Sequence, residues 1–193
     1  MTIYLLRHGE YSNPDNIFPF HLPVTLSELG KEHIKRTGQW FAQKGVKATP
    51  IFTSPILRAV ETAEIMALST SSKVSTDDRL IESYCPNLEG KKQPGKEGDA
   101  AAWKMQCGDR SRETSESVQK RMIECFDEKV DEGKDCILVS HGDPLTALYY
   151  HLIQKELVSC LFDVEHIGIY IKRGEIVCVD VNEGNYQIDR VTV

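Results

Sequence analysis

The sequence predicts an α/β fold: a three-layer sandwich with a mostly parallel central sheet, helices on both faces and an antiparallel edge. Short apolar runs alternate along the chain with segments of helical spacing, which is typical of a sheet covered by helices on both sides. Residues 3–6 are apolar at every position, as in a strand buried on both faces. Because 193 residues suffice for one full core, we assign residues 1–193 to a single domain.

The first half of the chain continues with a helix, a strand and a second helix. Residues 25–45 follow helical spacing, with a capping box that starts at Thr25 and a stop at Gly45. Residues 51–53 form a short apolar strand. Ser54 then stands as the N-cap of the next helix.

The second half repeats this arrangement and adds an edge. Residues 115–133 carry apolar side chains at four-residue steps, which predicts an amphipathic helix. Residues 137–139 form an apolar strand, after which Asp143 has the position of a helix N-cap. Residues 166–181 indicate two strands joined by a tight Lys-Arg-Gly turn at residues 172–174, at or near a sheet edge.

The segment between residues 83 and 114 is polar and rich in Gly, Lys and Asp. A segment this long in a compact domain is typical of a lid or substrate loop, and we expect a short helix near residues 100–105. Its cations are candidates for a second anionic group of a substrate, although interspersed acids equally favour a solvated mixed-charge loop. These cations are Lys91, Lys92, Lys96, Lys104, Arg110 and Arg112.

The composition excludes several classes of function. With 23 Lys and Arg against 29 Asp and Glu, the net charge of −6 argues against binding to nucleic acids or anionic membranes. No apolar stretch approaches the roughly 20 residues of a membrane span, and no signal peptide precedes the first strand. The cysteines are scattered singly, and Cys136 and Cys178 lie in apolar runs typical of buried thiols. We therefore expect a reducing, cytoplasmic location.

Chemistry-bearing residues follow three of the predicted strands. Arg7 and His8 come directly after the first strand. Arg58 lies in the first turn after the second strand, and His141 follows the strand at residues 137–139. Because ligands bind beyond the carboxyl ends of such strands, we expect these side chains to meet there. A cationic pocket of this kind suits a dianion, phosphate above all.

A metal site is the alternative for the same residues. Arg7 beside His8 disfavours it, since a fixed guanidinium repels a divalent cation. The sequence also contains no HExxH motif or similar spacing. We therefore predict no metal and no other cofactor.

The segments LLRHGE, FTSPILRAVETAE, RLIE and LVSHGD occur in this order. Together they resemble the histidine phosphatase superfamily, in the branch that includes cofactor-dependent phosphoglycerate mutases. The resemblance implies that His8 is the nucleophile that becomes phosphorylated. It also implies that Arg7, Arg58 and His141 bind the transferring phosphoryl group, and that Glu82 is the proton donor.

The chemistry of the residues agrees with these implied roles. Phosphate monoesters are anions, and histidine, with an ordinary pKa of about 6.5, offers a largely neutral nucleophile at cytoplasmic pH. The leaving alkoxide needs a proton from a carboxyl group, for which Glu82 is the first candidate and Asp143 the alternative. Gly9 is expected to allow a close approach of the backbone.

One motif departs from the family pattern. The family often places a phosphate-contacting asparagine several residues after the RHG motif. Here Asn13 and Asn16 both stand near that position. We predict a phosphate contact for Asn13, with Asn16 as the alternative.

The predicted activity is metal-independent hydrolysis of phosphate monoesters through a phosphohistidine. A mutase is the first alternative, but mutases of this family usually carry a longer insertion after the acid than residues 83–114 provide. A catalytically silent phosphate-binding module would lack the nucleophile or an arginine, and neither is missing. The expected partner is a phosphorylated small molecule, with a phosphoprotein as the alternative.

Overall fold

The structure is a computed structural model that describes residues 1–95, 100–161 and 168–193. Strands and helices alternate along most of the chain, and two strands end it. In chain order the elements are β1 (Thr2–Arg7), α1 (Glu28–Gln43), β2 (Ile51–Thr53), α2 (Leu57–Thr70), β3 (Val74–Thr76), a 3-10 turn (Asp78–Leu80), α3 (Ala100–Gly108), α4 (Ser115–Glu132), β4 (Cys136–Ser140), α5 (Gly142–Leu152), β5 (Ile176–Asn182) and β6 (Asn185–Val191).

The strands form one sheet in the order β3-β2-β4-β1-β5-β6. The first four run parallel, β5 pairs antiparallel with β1, and β6 pairs antiparallel with β5. This confirms the predicted α/β fold with an antiparallel edge. Arg7 lies opposite Ser140 in the β1–β4 pair. The residues that follow these two strands, His8 and His141, therefore leave the sheet at the same edge.

Helices cover both faces of this sheet. On one face α4 and α5 pack against β1 in a cluster that includes Leu5, Phe126 and Leu148. On the other face α1 and α2 pack in a cluster that includes Leu6 and Met66. Because successive strand side chains point to opposite faces, the apolar run of β1 serves both halves of the core, as its sequence predicts.

Three predicted helix caps are wrong. The N-cap of α1 is Ser27, not Thr25, since the Ser27 hydroxyl accepts a hydrogen bond from the Gly30 N–H at 3.0 Å. Asp143 lies inside the first turn of α5, and its carboxylate is used elsewhere. Helix α2 begins later than predicted, at Leu57, and has Ile56 and not Ser54 at its N-cap.

The predicted hairpin around the Lys-Arg-Gly turn is also wrong in part. Residues 168–171 are not a strand, and His166 and Ile167 lie outside the described residues. The antiparallel pair consists instead of β5 and β6, which follow the turn. The Gly174 N–H donates to the Arg7 carbonyl at 3.1 Å, so the turn at residues 172–174 is fixed beside the end of β1.

The cysteines divide into free thiols and one pair. Cys136 is buried and Cys178 half-buried, and both are free, as predicted for them. Cys107 and Cys160 form a disulfide with a Cα–Cα distance of 5.5 Å. The sequence does not predict this bond, because its cysteines are scattered singly. This bond joins the end of α3 to the segment that follows α5.

Candidate active site

The imidazole of His8 lies in a cavity beyond the carboxyl end of β1, with 1% of its surface exposed. Its Nδ1 lies 2.7 Å from the Gly9 carbonyl oxygen, which only accepts, so Nδ1 carries the proton. Arg58 donates its Nε–H to His8 Nε2 at 3.2 Å. Because a guanidinium has no acceptor, Nε2 is unprotonated. The nitrogen with the lone pair therefore lies beside the cation that an incoming phosphate would contact.

The surroundings of His8 keep this ring neutral. Its pKa lies well below the ordinary 6.5, because burial disfavours the charged ring and the guanidinium groups of Arg58 and Arg7 repel it. The neighbouring guanidinium groups disfavour protonation of the ring and leave the neutral imidazole as the stable form. Its Nε2 therefore keeps an unprotonated lone pair at physiological pH.

Gly9 permits a close approach, but to helix α1. A Cβ at Gly9 would lie 2.8 Å from Cγ1 of Ile34 and 3.3 Å from the Gly30 carbonyl oxygen. The Gly9 N–H donates to the Thr62 hydroxyl at 3.1 Å. Helices α1 and α2 thus hold the segment that carries the His8 ring.

Arg7 ends β1 and lines the cavity. Its Nη1 donates to the Ile171 carbonyl at 2.8 Å, and its guanidinium carbon lies 5.2 Å from the centre of the Tyr170 ring. Among residues 1–95, 100–161 and 168–193, no acceptor binds its buried Nε–H. Arg7 is therefore anchored through Nη1 at the cavity wall, where a guanidinium can bind an anion.

Arg58 is the second residue of α2 and is 2% exposed. Its Nη2 donates to the Phe20 carbonyl at 2.9 Å, so the loop before α1 holds the guanidinium against His8. Burial lowers the pKa of Arg58, with the Glu82 carboxylate acting in the opposite sense. The guanidinium is thus a buried cation that a phosphate dianion would compensate.

His141 is completely buried and follows β4. Its Nε2 lies 2.8 Å from the Ser54 hydroxyl, which also accepts from the Ile56 N–H at 3.2 Å. Ser54 therefore orients His141. It is not the N-cap of α2 that the sequence predicts, since Ile56 has that position. If Ser54 donates to Nε2, the His141 proton is on Nδ1, an atom with no partner within the described part of the chain. This N–H lies 3.8 Å from Oε2 of Glu82.

Glu82 follows the 3-10 turn and lines the same cavity. Burial, and next the nearby Asp143 carboxylate, raise its pKa to about 7 against the opposing effect of Arg58 and Arg7. Its backbone is held by His21, whose Nε2 lies 2.9 Å from the Glu82 carbonyl oxygen. A carboxyl group with this pKa can donate a proton at neutral pH and accept one afterwards.

The carboxylate of Asp143, unlike that of Glu82, is bound by donors from three other side chains. Its Oδ2 accepts from Nη2 of Arg112 and from the Ser83 hydroxyl, both at 2.6 Å, and its Oδ1 accepts from the Tyr170 hydroxyl at 2.8 Å. Both carboxylate oxygens of Asp143 are thus already hydrogen-bonded. Asp143 is therefore fixed in the cavity wall, and it stays the alternative to Glu82 for the acid role.

The cavity has a volume of about 480 Å³. Arg7, His8, Arg58 and Glu82 line one part of it, while His141 lies directly behind. The sequence points to only a few of the other residues that line the cavity, Asp143 among them. The full set of these other lining residues is Tyr11, Phe18, Pro19, Phe20, Ser83, Gln93, Trp103, Gln106, Asp143, Tyr170, Lys172 and Arg173.

The predicted lid contributes neutral side chains to the cavity. Its expected helix is α3, and Gln93, Trp103 and Gln106 are the lid residues that line the cavity together with Ser83. Arg112 binds Asp143, and Lys96 lies outside the described residues. The other lid cations are exposed and do not line the cavity: Lys91, Lys92, Lys104 and Arg110.

The structure does not bring Asn13 to the cavity. Its Nδ2 donates to the Ile17 carbonyl at 2.9 Å, and its Oδ1 accepts from the Ile17 N–H at 3.1 Å. Asn16 donates instead to carbonyls of the lid, at Gln93 and Gly95. Both amides fix the loop before α1 and neither lines the cavity, and the phosphate contact expected of Asn13 stays a prediction.

The described ranges contain no group of three or more His, Cys, Asp and Glu side chains arranged to hold a metal ion. The same ranges also contain no helix that is long and apolar enough to cross a bilayer.

A sequence model described as "Histidine phosphatase superfamily (branch 1)" matches residues 3–192 of the chain. A 2,3-bisphosphoglycerate-dependent phosphoglycerate mutase from Thermoplasma acidophilum is 30% identical over 186 residues, which cover 93% of this chain and 87% of that protein.

Solved structures share the fold over almost the whole chain. YhfR from Bacillus stearothermophilus has a TM-score of 0.79 and 25% identity, covering 97% of this chain and 94% of its own. A mycobacterial glucosyl-3-phosphoglycerate phosphatase has a TM-score of 0.76 and 18% identity, covering 99% and 97%.

Proposed function

Since this chain belongs to branch 1 of the histidine phosphatase superfamily, we propose that it hydrolyses phosphate monoesters through a phosphohistidine on His8. The observation that carries the proposal is the fixed neutral tautomer of His8, with its unprotonated Nε2 next to Arg58. No metal ion or other cofactor is part of the proposed reaction. A cavity of about 480 Å³ can hold a small phosphorylated molecule, which we propose as the substrate in preference to a phosphoprotein.

In the first step Nε2 of His8 attacks phosphorus while the bond from phosphorus to the ester oxygen breaks. Glu82 transfers its proton to the leaving oxygen, which departs as an alcohol. Arg7, Arg58 and the His141 Nδ1–H stabilise the charge on the other phosphoryl oxygens.

In the second step water attacks the phosphohistidine. Glu82, now a carboxylate, accepts a proton from this water as its oxygen bonds to phosphorus. The phosphorus–nitrogen bond breaks, inorganic phosphate leaves, and both His8 and Glu82 return to their starting forms.

The test is phosphate release from a phosphomonoester by the wild type, His8→Gln and His151→Gln in the presence of a chelator. His151 lies exposed on α5, so its variant controls for loss of a histidine far from the cavity. We expect full activity in the wild type and the control and a loss of at least about 10³-fold in His8→Gln. Equal activity in all three proteins, or a requirement for a metal ion, contradicts the proposal.

A mutase is the second candidate, because the Thermoplasma relative carries that name. A mutase must keep water from the phosphohistidine until a second substrate arrives. Comparing phosphate release with the interconversion of 2- and 3-phosphoglycerate separates the two functions. Faster interconversion than release assigns the chain to the mutases.

A further inference from the structure

Lys172 and Arg173 line the cavity of His8, although neither belongs to the sequence motifs of the family. The guanidinium carbon of Arg173 lies 4.4 Å from the centre of the Tyr11 ring, and that of Arg58 lies 5.3 Å from the same centre. The two guanidinium groups are therefore within about 10 Å of each other, the sum of these distances. A small molecule can span this separation.

The turn that carries these two cations is fixed in place. Gly174 has a φ of +69°, and a Cβ there would lie 2.5 Å from a carbon of the His33 ring, so the turn packs tightly on α1. The Lys172 N–H donates to Oε2 of Glu175 at 2.7 Å, and the same carboxylate accepts from Arg190. The position of the cations thus follows from the fold and not from a freely moving loop.

The cations that line the cavity differ in how deeply they are buried. Arg58 is 2% exposed and contacts His8 directly. Arg173 is half-buried, and Lys172 is exposed. A substrate whose phosphate lies against His8 and Arg58 would extend its other end past Arg173 toward Lys172. These two residues are therefore placed to contact the part of the substrate that is not transferred.

We propose that Lys172 and Arg173 form a second anion subsite, so that the preferred substrate is a small phosphate monoester with another anionic group. A carboxylate or a second phosphate has the required chemistry, since either accepts hydrogen bonds from ammonium and guanidinium groups. The lid cations do not provide this subsite, because those that are exposed do not line the cavity. This inference rests on the proposed function and narrows its substrate class.

A matched pair of esters tests the subsite. 3-Phosphoglycerate and glycerol 3-phosphate differ only in a carboxylate that replaces a hydroxymethyl group. We expect the wild type to prefer 3-phosphoglycerate in kcat/KM by about tenfold or more, as one charge-assisted contact provides. The preference should act mainly through KM and should weaken as salt is added.

Variants assign the preference to the two residues. Arg173→Gln and Lys172→Gln should each reduce the ratio of the two kcat/KM values, with Arg173→Lys retaining part of it. Lys104→Gln, an exposed lid residue that does not line the cavity, is the charge-matched control and should keep the wild-type ratio. Because Lys172 is exposed, its variant remains informative if Arg173→Gln folds poorly.

The outcomes separate this inference from the proposed function. Release of phosphate from neither ester by folded wild type contradicts the proposed function. Release from both with equal efficiency contradicts the subsite alone. A preference that persists unchanged in both Gln variants, or that Lys104→Gln removes equally, also overturns it.

Discussion

His8 combines two hydrogen bonds that fix its tautomer with surroundings that keep it neutral. The Gly9 carbonyl determines which nitrogen holds the proton, and Arg58 lies beside the other nitrogen. In the proposed reaction Arg58 can exchange its contact with His8 Nε2 for one with a phosphoryl oxygen. The nucleophile thus needs no deprotonation before it attacks.

The acid role of Glu82 predicts a defect that depends on the leaving group. A nitrophenolate leaves without a proton, whereas a sugar alkoxide does not, so Glu82→Gln should lose about 10²–10⁴-fold on an alkyl phosphate and much less on an aryl phosphate. The measurement is the ratio of alkyl to aryl turnover in the variant and the wild type. Equal losses on both esters would make Glu82 a structural residue.

Asp143→Asn is the companion variant for this experiment. Its carboxylate binds Arg112, Ser83 and Tyr170, so the change should weaken the cavity wall and slow both esters alike. A selective alkyl defect in Asp143→Asn alone would transfer the acid role to Asp143.

The raised pKa of Glu82 also predicts a dependence of stability on pH. The pKa is about 7 in the folded chain against an ordinary 4.5, so the protonated form favours folding. This contribution is complete below pH 4.5 and is lost as the pH rises to about 7. Relative to the wild type, Glu82→Gln should gain up to about 3 kcal/mol in free energy of unfolding between pH 4.5 and pH 8. Urea unfolding at the two pH values measures this gain, and a constant difference would contradict it.

Single residues also show the limit of sequence reasoning. Strand ends place Arg7, His8 and Arg58 at one cavity, and the 3-10 turn after β3 brings Glu82 to it. Asn13 has the residue type for a phosphate contact, but its amide closes a local loop instead. A short polar side chain can bind a neighbouring backbone group or a ligand, and the residue type does not distinguish the two.

At the scale of elements, the contact between α1 and the segment that follows β1 depends on a glycine. A Cβ at Gly30 would collide with the Glu10 carbonyl group, just after the RHG motif. We expect Gly30→Ala to lower the free energy of unfolding by about 3 kcal/mol, since backbone must move to relieve the overlap. Gly108→Ala, at a position with nothing within 4 Å, is the matched control. Thermal unfolding measures both variants, and equal effects would contradict the packing argument.

The disulfide between Cys107 and Cys160 joins the lid helix α3 to the segment after α5. Closing a loop with a sequence separation of 53 restricts the unfolded chain, so Cys107→Ser should lower the free energy of unfolding by about 2–4 kcal/mol. Cys160→Ser should have the same effect, and the double variant no more. Urea unfolding with and without a dithiol reductant measures this.

The reduced wild type should match the variants in that experiment. Equal stability of oxidised wild type and Cys107→Ser would show that the pair contributes nothing. The cytoplasmic location expected from the sequence stays a prediction, and a count of free thiols in protein isolated from cells tests the redox state directly.

Element existence follows from the sequence more readily than element ends do. The apolar runs predict β1, β2 and β4, because burial on both faces requires apolar residues at every position. Short β3 and solvent-facing β6 have few buried side chains and no such run. The position of a helix cap depends on which side-chain oxygen accepts from the free N–H groups of the first turn. At α1 this is Ser27, although the nearby Thr25 has the same chemistry.

At the scale of the whole molecule, sheet order explains both the part of the site that the sequence predicts and the part that it does not. Parallel β1, β2 and β4 bring the motif residues to one edge. Strand β5 runs antiparallel to β1, so its beginning lies at that same edge. The Lys172–Gly174 turn before it therefore reaches the cavity. The basic residues Lys172 and Arg173 are visible in the sequence. Their position at the cavity follows only from the pairing of β5 with β1.

The proposed function depends on the transfer of phosphate to His8. The most direct test mixes the protein with a phosphate monoester labelled with ³²P, stops the reaction within milliseconds and locates the label by peptide sequencing. We expect a label on His8 that survives alkali, is lost in acid and is absent from His8→Gln. A label that persists in His8→Gln, or that lies on a carboxylate, would contradict the proposed function.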